Sequence, residues 1–177
     1  MEGFAGHILV LSGSPGSGKT TTAEALAKLP GEPKVHLHSD DLWGYIKHGH
    51  IDPWLPEADA QNAMIMKIAA EVAGHYARNG YLVALDGVIR PWALPFYGPL
   101  GVPVHYMVLR TGVADVVARC AARGGDSLSD PVVVADLHAE FADLGARERH
   151  VLAVDGLDRE GTLAAVVAAL KSGAYRI

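Results

Sequence analysis

A single cysteine, Cys120, means that no disulfide can staple this chain to itself. Flanked by Val116, Val117 and Ala121, it reads as a small core residue. Half of the residues are hydrophobic, yet no apolar run approaches the roughly 20 residues that a membrane-spanning helix needs, so a membrane protein is not expected. The first eleven residues lack a basic leader, a long apolar stretch and a small-residue cleavage site, which leaves the cytoplasm as the expected location. A net charge of -5 and a pI near 5.9 supply no broad basic face, so a nucleic-acid duplex is not the expected partner. There is no repeat, low-complexity tract or linker. The 177 residues are long enough to bury a full core and read as one domain.

What is present is an alternation. Short β-rich runs at 7–11, 34–38, 81–85, 103–109 and 150–154 are separated by helical patterns, the order expected of a parallel α/β sheet. Val113, Val116, Val117 and Cys120 share one helix face, as do Val133, Leu137, Phe141 and Leu144, and Leu163, Val166, Val167 and Leu170. Each such helix is expected to cover a face of the sheet. The longest helix is expected over about 57–79, where Ala60, Met64, Ile68, Val72 and Tyr76 step by four and Gly80 provides a stop. Met64 and Met66 read as packing residues. The architecture is a three-layer α/β sandwich.

The strongest chemical signal is HILVLSGSPGSGKTTT, which sets GxxxxGKT between a β-run and the helix-forming stretch 21–29. Gly13, Ser14, Gly16, Ser17 and Gly18 can aim backbone N–H groups at phosphate oxygens, helped by the positive end of the helix that starts there. Lys19 would bridge the β- and γ-phosphates of ATP, Thr20 would offer its hydroxyl to magnesium, and Thr21 would complete the cradle.

Carboxylates follow two of the strands, where ligands of open α/β sheets sit. Asp86 ends YLVALD in the manner of a Walker B acid and would hold Mg2+ beside Thr20; the alternative is a turn cap. Ser39, Asp40 and Asp41 end VHLH. Ser39 or Asp40 would cap the following helix, and Asp40 or Asp41 would serve as the base for an acceptor hydroxyl.

The segment WGYIKHGHIDPWLPEADAQN is rich in Trp43, Tyr45, His48, His50 and Trp54, with prolines that interrupt helix. It has the composition of a substrate-facing cap, or alternatively of tryptophans sealing the edge of the core. Arg90, Pro91, Trp92, Phe96 and Tyr97 would form the opposite wall. His36 and His38 alternate on one strand but lack a zinc-ligand spacing. His138 reads as structural.

These residues resemble the small-molecule kinase branch of P-loop proteins, above all chloramphenicol phosphotransferase, with gluconate kinase, shikimate kinase and zeta toxin as more distant likenesses. The resemblance covers most of the chain and rests on GSPGSGKT, HSDDLW, ARNGYLVALDG and the arginines after VLR. It implies a P-loop NTPase fold with a five-stranded parallel sheet in the order 2-3-1-4-5, of the nucleoside-monophosphate-kinase type. It also implies that Asp40 rather than Asp41 is the general base. A lid at about 119–131 would bring Arg119 and Arg123 to the triphosphate, with Gly124 and Gly125 as hinges. The alternative for Arg119 is a surface pair with Asp115. Arg110 is a further candidate, and the lid is short, without a CxxC pair. The substrate cap would span about 41–62, with Asp40, Trp43, Tyr45, Arg90 and Trp92 facing the acceptor.

The expected function is ATP- and magnesium-dependent transfer of the γ-phosphate to a hydroxyl of a small molecule, by a monomer or homodimer. A nucleoside or nucleotide kinase would instead use Arg90 and Arg110 to grip an acceptor phosphate. A third reading is a nucleotide-dependent switch that signals to a protein partner.

Overall fold

The computed structural model describes residues 2–123 and 130–177. Five strands form one parallel sheet: β1 (Ile8–Ser12), β2 (Lys34–His38), β3 (Leu82–Asp86), β4 (Val104–Arg110) and β5 (Val151–Ala153). Their order is β2-β3-β1-β4-β5, as expected, with β1 at the centre. The fit of β1 to that place is visible in its side chains, all of which are buried.

Alternation along β1 divides the core between two layers. Ile8 and Val10 pack with Val83, Leu85, Tyr106 and Val108 against helix α3 (Asp59–Arg78) and the 3-10 stretch Pro91–Leu100. Leu9 and Leu11 pack with Ala84, Met107 and Leu109 against α1 (Lys19–Ala27) and α6 (Arg159–Ser172). Every second residue thus belongs to a different core, as the period of a strand requires when helices cover both faces.

Two expectations about helix faces need correction. In α3 the stripe of Met64, Ile68 and Tyr76 is exposed, whereas Ile65, Met66, Ala69, Ala70, Ala73 and Ala77 are buried. The alanines win the inward position because small side chains let the helix backbone lie close to the sheet. The second correction concerns α4 (Val113–Arg123). It does not cover the sheet; Val116 and Cys120 form a separate cluster with Val134 of α5 (Pro131–Ala139), and α4 lies over the phosphate loop. Asp130 caps α5, accepting from the N–H groups of Val132 and Val133. Helix α5 stops at Ala139, so Phe141 and Leu144 reach the core from the segment beyond it.

The strand β5 pairs only with Val108, Leu109 and Arg110 of β4. The rest of that edge is met by residues 175–177, where Tyr106 N–H donates to the Tyr175 carbonyl at 2.9 Å and Ile177 N–H to the Val104 carbonyl at 3.0 Å. Arg176 makes an antiparallel bridge to His105 there. Among the described residues no helix is long and apolar enough to cross a membrane.

Candidate active site

The loop between β1 and α1 holds the expected phosphate-binding residues at the carboxyl end of the central strand. Gly16 has φ of 80°, a conformation that costs glycine little, and a Cβ there would lie 2.7 Å from the Val116 carbonyl and 3.1 Å from Cys120 Sγ. Helix α4 therefore packs directly on the loop. Ser14, Ser17 and Lys19 are buried, Lys19 Nζ donates to the Ser14 carbonyl at 3.2 Å, and Ser17 Oγ is buried without a partner among the described residues. An orphaned hydroxyl in a loop of converging N–H groups fits a phosphate oxygen.

Asp86 is fully buried at the end of β3. Thr20 donates its hydroxyl to Oδ2 at 2.6 Å, His36 Nε2 lies 2.6 Å from Oδ1, and His38 Nδ1 lies 3.0 Å from Oδ2. The two histidines reach it because they point to one face of β2 and His38 pairs in register with Asp86. Burial pushes the Asp86 carboxyl up, but the bonds from His36, His38 and Thr20 outweigh it and hold the group well below the usual carboxylate range. The bond to Asp86 in turn raises His38 above its ordinary value, against the effect of burial. An ionised carboxylate joined to the loop threonine is the donor set that a hard divalent cation requires, so these residues fit magnesium. The structure gives both histidines to Asp86.

Asp40 and Asp41 open the short helix α2 (Asp40–Gly44). The capping expectation fails here: Ser39 has helical backbone angles and no side-chain cap bond, its hydroxyl donating instead to Asp40 Oδ1 at 3.3 Å. Asp40 is exposed, and its Oδ2 lies 3.5 Å from His38 Nε2. His38 thereby spans the two carboxylates, Asp86 on one ring nitrogen and Asp40 on the other.

Lys19, Thr20, Thr21, His38 and Asp40 line one cavity of about 730 Å³. Its walls carry Trp43, Trp54 and Trp92, all three tryptophans of the protein. Asn62 braces the cap by accepting from Trp43 Nε1 at 3.3 Å and donating to the Pro53 carbonyl at 2.8 Å. A second, outer cavity of about 490 Å³ shares Pro53, Trp54, Asn62, Arg90 and Trp92 with the first and adds Asp59 and Glu140. Asn62, Asp52 and Glu140 were missed in the sequence because nothing local distinguishes them from surface polar residues.

Other expected site residues lie elsewhere. Tyr45 is 72% exposed and does not line either cavity, because α2 ends before it and turns the ring to solvent. Asp41 and His48 do not line the main cavity, while His50 does. Tyr97 is buried in the core and Phe96 packs edge-on to Trp92. Arg110 lines neither cavity: it donates to the Phe141 carbonyl at 2.8 Å and pairs in bidentate fashion with Glu148. His138 is bonded to the Thr111 carbonyl. Arg119 Nη1 reaches the Gly16 carbonyl at 3.4 Å rather than Asp115, so this arginine stands at the phosphate loop. The Arg123 side chain and residues 124–129 of the expected lid lie outside the described residues.

Solved structures share this fold. A gluconokinase from Sinorhizobium meliloti superposes with a TM-score of 0.73 at 19% identity, over 98% of this chain and 95% of that one. The tunicamycin resistance protein of Deinococcus radiodurans gives 0.69 at 19% identity, over 92% and 94%. The thymidylate kinase of Candida albicans gives 0.61 at 15% identity, over 98% and 95%. The fold is that of the P-loop kinases. No protein-family model and no curated protein sequence matches the chain.

Proposed function

We propose that this chain is a single kinase domain that transfers the γ-phosphate of ATP to a hydroxyl of a small molecule, with a cap at about 41–62 and a lid at about 119–131. One observation carries the reading: a single cavity connects Lys19 and Thr20 of the phosphate loop with the Asp40 carboxylate and the tryptophan walls. The acceptor hydroxyl would sit between Asp40 and the nucleotide. Thr20 and Asp86 would hold magnesium, which would supply positive charge against the phosphates.

The protein's own groups divide the remaining work. Lys19 cradles the β- and γ-phosphates beside the loop N–H groups. Asp40 accepts the hydroxyl proton or orients it for attack, and its exposure to the cavity leaves it reachable by a substrate. Arg119, already at the loop, and Arg123 on the same helix would meet the charge that develops on the moving phosphoryl group. Trp43, Trp54 and Trp92 exclude water and hold the acceptor by its apolar face. An aromatic antibiotic of the kind that chloramphenicol phosphotransferase accepts, or a sugar, fits such walls equally well.

The test is a screen with labelled ATP across antibiotics, sugars, nucleosides and nucleotides, with Asp40→Asn beside the wild type. The expected result is transfer to one class, lowered about 10²–10⁴-fold by the substitution while ATP binding persists. Free phosphate as the sole product, unchanged in Asp40→Asn, would overturn the reading in favour of a nucleotide-dependent switch.

A further inference from the structure

Recognition of an anionic acceptor requires a cation that is not already committed. Among the described residues that line the two joined cavities, only Lys19 and Arg90 are lysine or arginine. Lys19 belongs to the phosphate loop, buried and bonded to the Ser14 carbonyl. Arg90 is held by Glu140: Nη2 donates to Oε1 at 3.0 Å and Nε donates to Oε2, a two-point clamp that fixes the guanidinium plane. Arg110, which might have served a second anion, is clamped by Glu148 in the same way. Asp40, Asp52 and Asp59 add carboxylates, and the two histidines of the lining are each set against one of them, His38 Nε2 at 3.5 Å from Asp40 Oδ2 and His50 Nδ1 at 3.8 Å from Asp52 Oδ1. A phosphate or carboxylate on the acceptor would enter a site of its own sign, and its one partner would first have to release Glu140.

We infer that the acceptor carries no anionic group: it is an uncharged hydroxylated molecule with an apolar face for the tryptophan walls, and Glu140 sets this preference by neutralising Arg90. The inference rests on the kinase reading for the word acceptor, but the charge selectivity of the cavity is testable without turnover. Glu140 sits just past the end of α5, and Arg90 just before the 3-10 stretch that carries Trp92. Both residues line the smaller cavity, so the pair removes a positive charge from its wall. Glu140 is a positioning residue here, since it acts on the ligand through Arg90.

Because every tryptophan of the protein lines the cavity, intrinsic fluorescence reports ligand entry directly. The experiment titrates three matched pairs into the ADP-bound protein: glucose and gluconate, thymidine and thymidine monophosphate, myo-inositol and its 1-phosphate. Transfer from ATP is followed in parallel. The neutral member of at least one pair is expected to bind at least 10-fold better than its anionic partner. Glu140→Gln is expected to shift that ratio at least 10-fold toward the anion, and Arg90→Gln with Glu140→Gln to cancel the shift. ADP binding checks that each variant is folded, and should Glu140→Gln not fold, the wild-type ratio decides alone. Preference for the anionic partner, a ratio unmoved by a folded Glu140→Gln, or no fluorescence change with any of the six compounds would overturn the inference. Neutral binding with the expected response but no transfer would leave it standing and sink the kinase reading instead. Transfer to a hydroxyl of gluconate in preference to glucose, or of inositol 1-phosphate in preference to inositol, would do the reverse.

Discussion

Thr20 and Asp86 lie 66 residues apart in sequence and 2.6 Å apart in space, hydroxyl to carboxylate. This contact ties the first turn of α1 to the end of β3, and with it the phosphate loop to the buried acid. Thr20→Val and Asp86→Asn are each expected to weaken ATP binding in magnesium about 10–100-fold, the scale on which outer groups tune a metal site. In EDTA the same variants should bind ATP as the wild type does. An equal loss in EDTA would mean that the contact only holds the loop in shape.

Gly87 answers to a steric demand of the neighbouring strand. A Cβ at this position would stand 1.8 Å from Ser39 Oγ, and Ser39 N–H in turn donates to the Asp86 carbonyl at 2.9 Å. Gly87→Ala must displace Ser39 and, with it, the start of α2 where Asp40 sits. Transfer is expected to fall at least as far as it does in Asp40→Asn. Ser39→Gly should recover much of the loss in the double variant, and failure of that rescue would remove the steric explanation.

The two faces of α3 make opposite predictions. Met64→Glu and Ile68→Glu replace exposed side chains and should change unfolding free energy by no more than about 0.5 kcal/mol. Ala70→Leu forces bulk between helix and sheet and should cost about 1–3 kcal/mol. Urea denaturation of the three variants separates the exposed stripe from the buried one.

Acid stability should report the far edge of the sheet. His105 is buried on β4 with Nε2 at 3.1 Å from His7 Nδ1, and burial, followed by His7 and Arg176, lowers it from the usual 6.5 to about 4. The fold therefore favours the neutral ring, whereas the unfolded chain takes up a proton near pH 6.5. The stabilisation is complete above pH 6.5 and declines as the pH falls toward 4, by roughly 1–2 kcal/mol after allowance for nearby solvent. His105→Gln should flatten this part of the curve of Tm against pH. An unchanged curve would assign the acid sensitivity elsewhere.

The phosphate loop was readable because its chemistry lies within eight consecutive residues and its backbone needs are written as glycines. The strands and their order were readable for related reasons, as buried β-runs and through resemblance. What required the folded chain was pairing across distance. His36 and His38 gave no sign of Asp86 because the sequence does not state strand register, and Glu140 gave no sign of Arg90 50 residues away. The face of α3 was misread for a different reason. Large apolar residues at a helical spacing suggest the core, but close packing on a sheet selects alanine, whose burial is invisible to a count of hydrophobic bulk.

Residues 175–177 lie along the part of β4 that β5 leaves uncovered. An open strand edge is a template for strands of other molecules, and residues 175–177 occupy it from within the same chain. Removing residues 175–177 would free backbone groups at Val104 and Tyr106 for intermolecular pairing. Solubility in concentrated solution, rather than catalysis, is where that loss would first be felt.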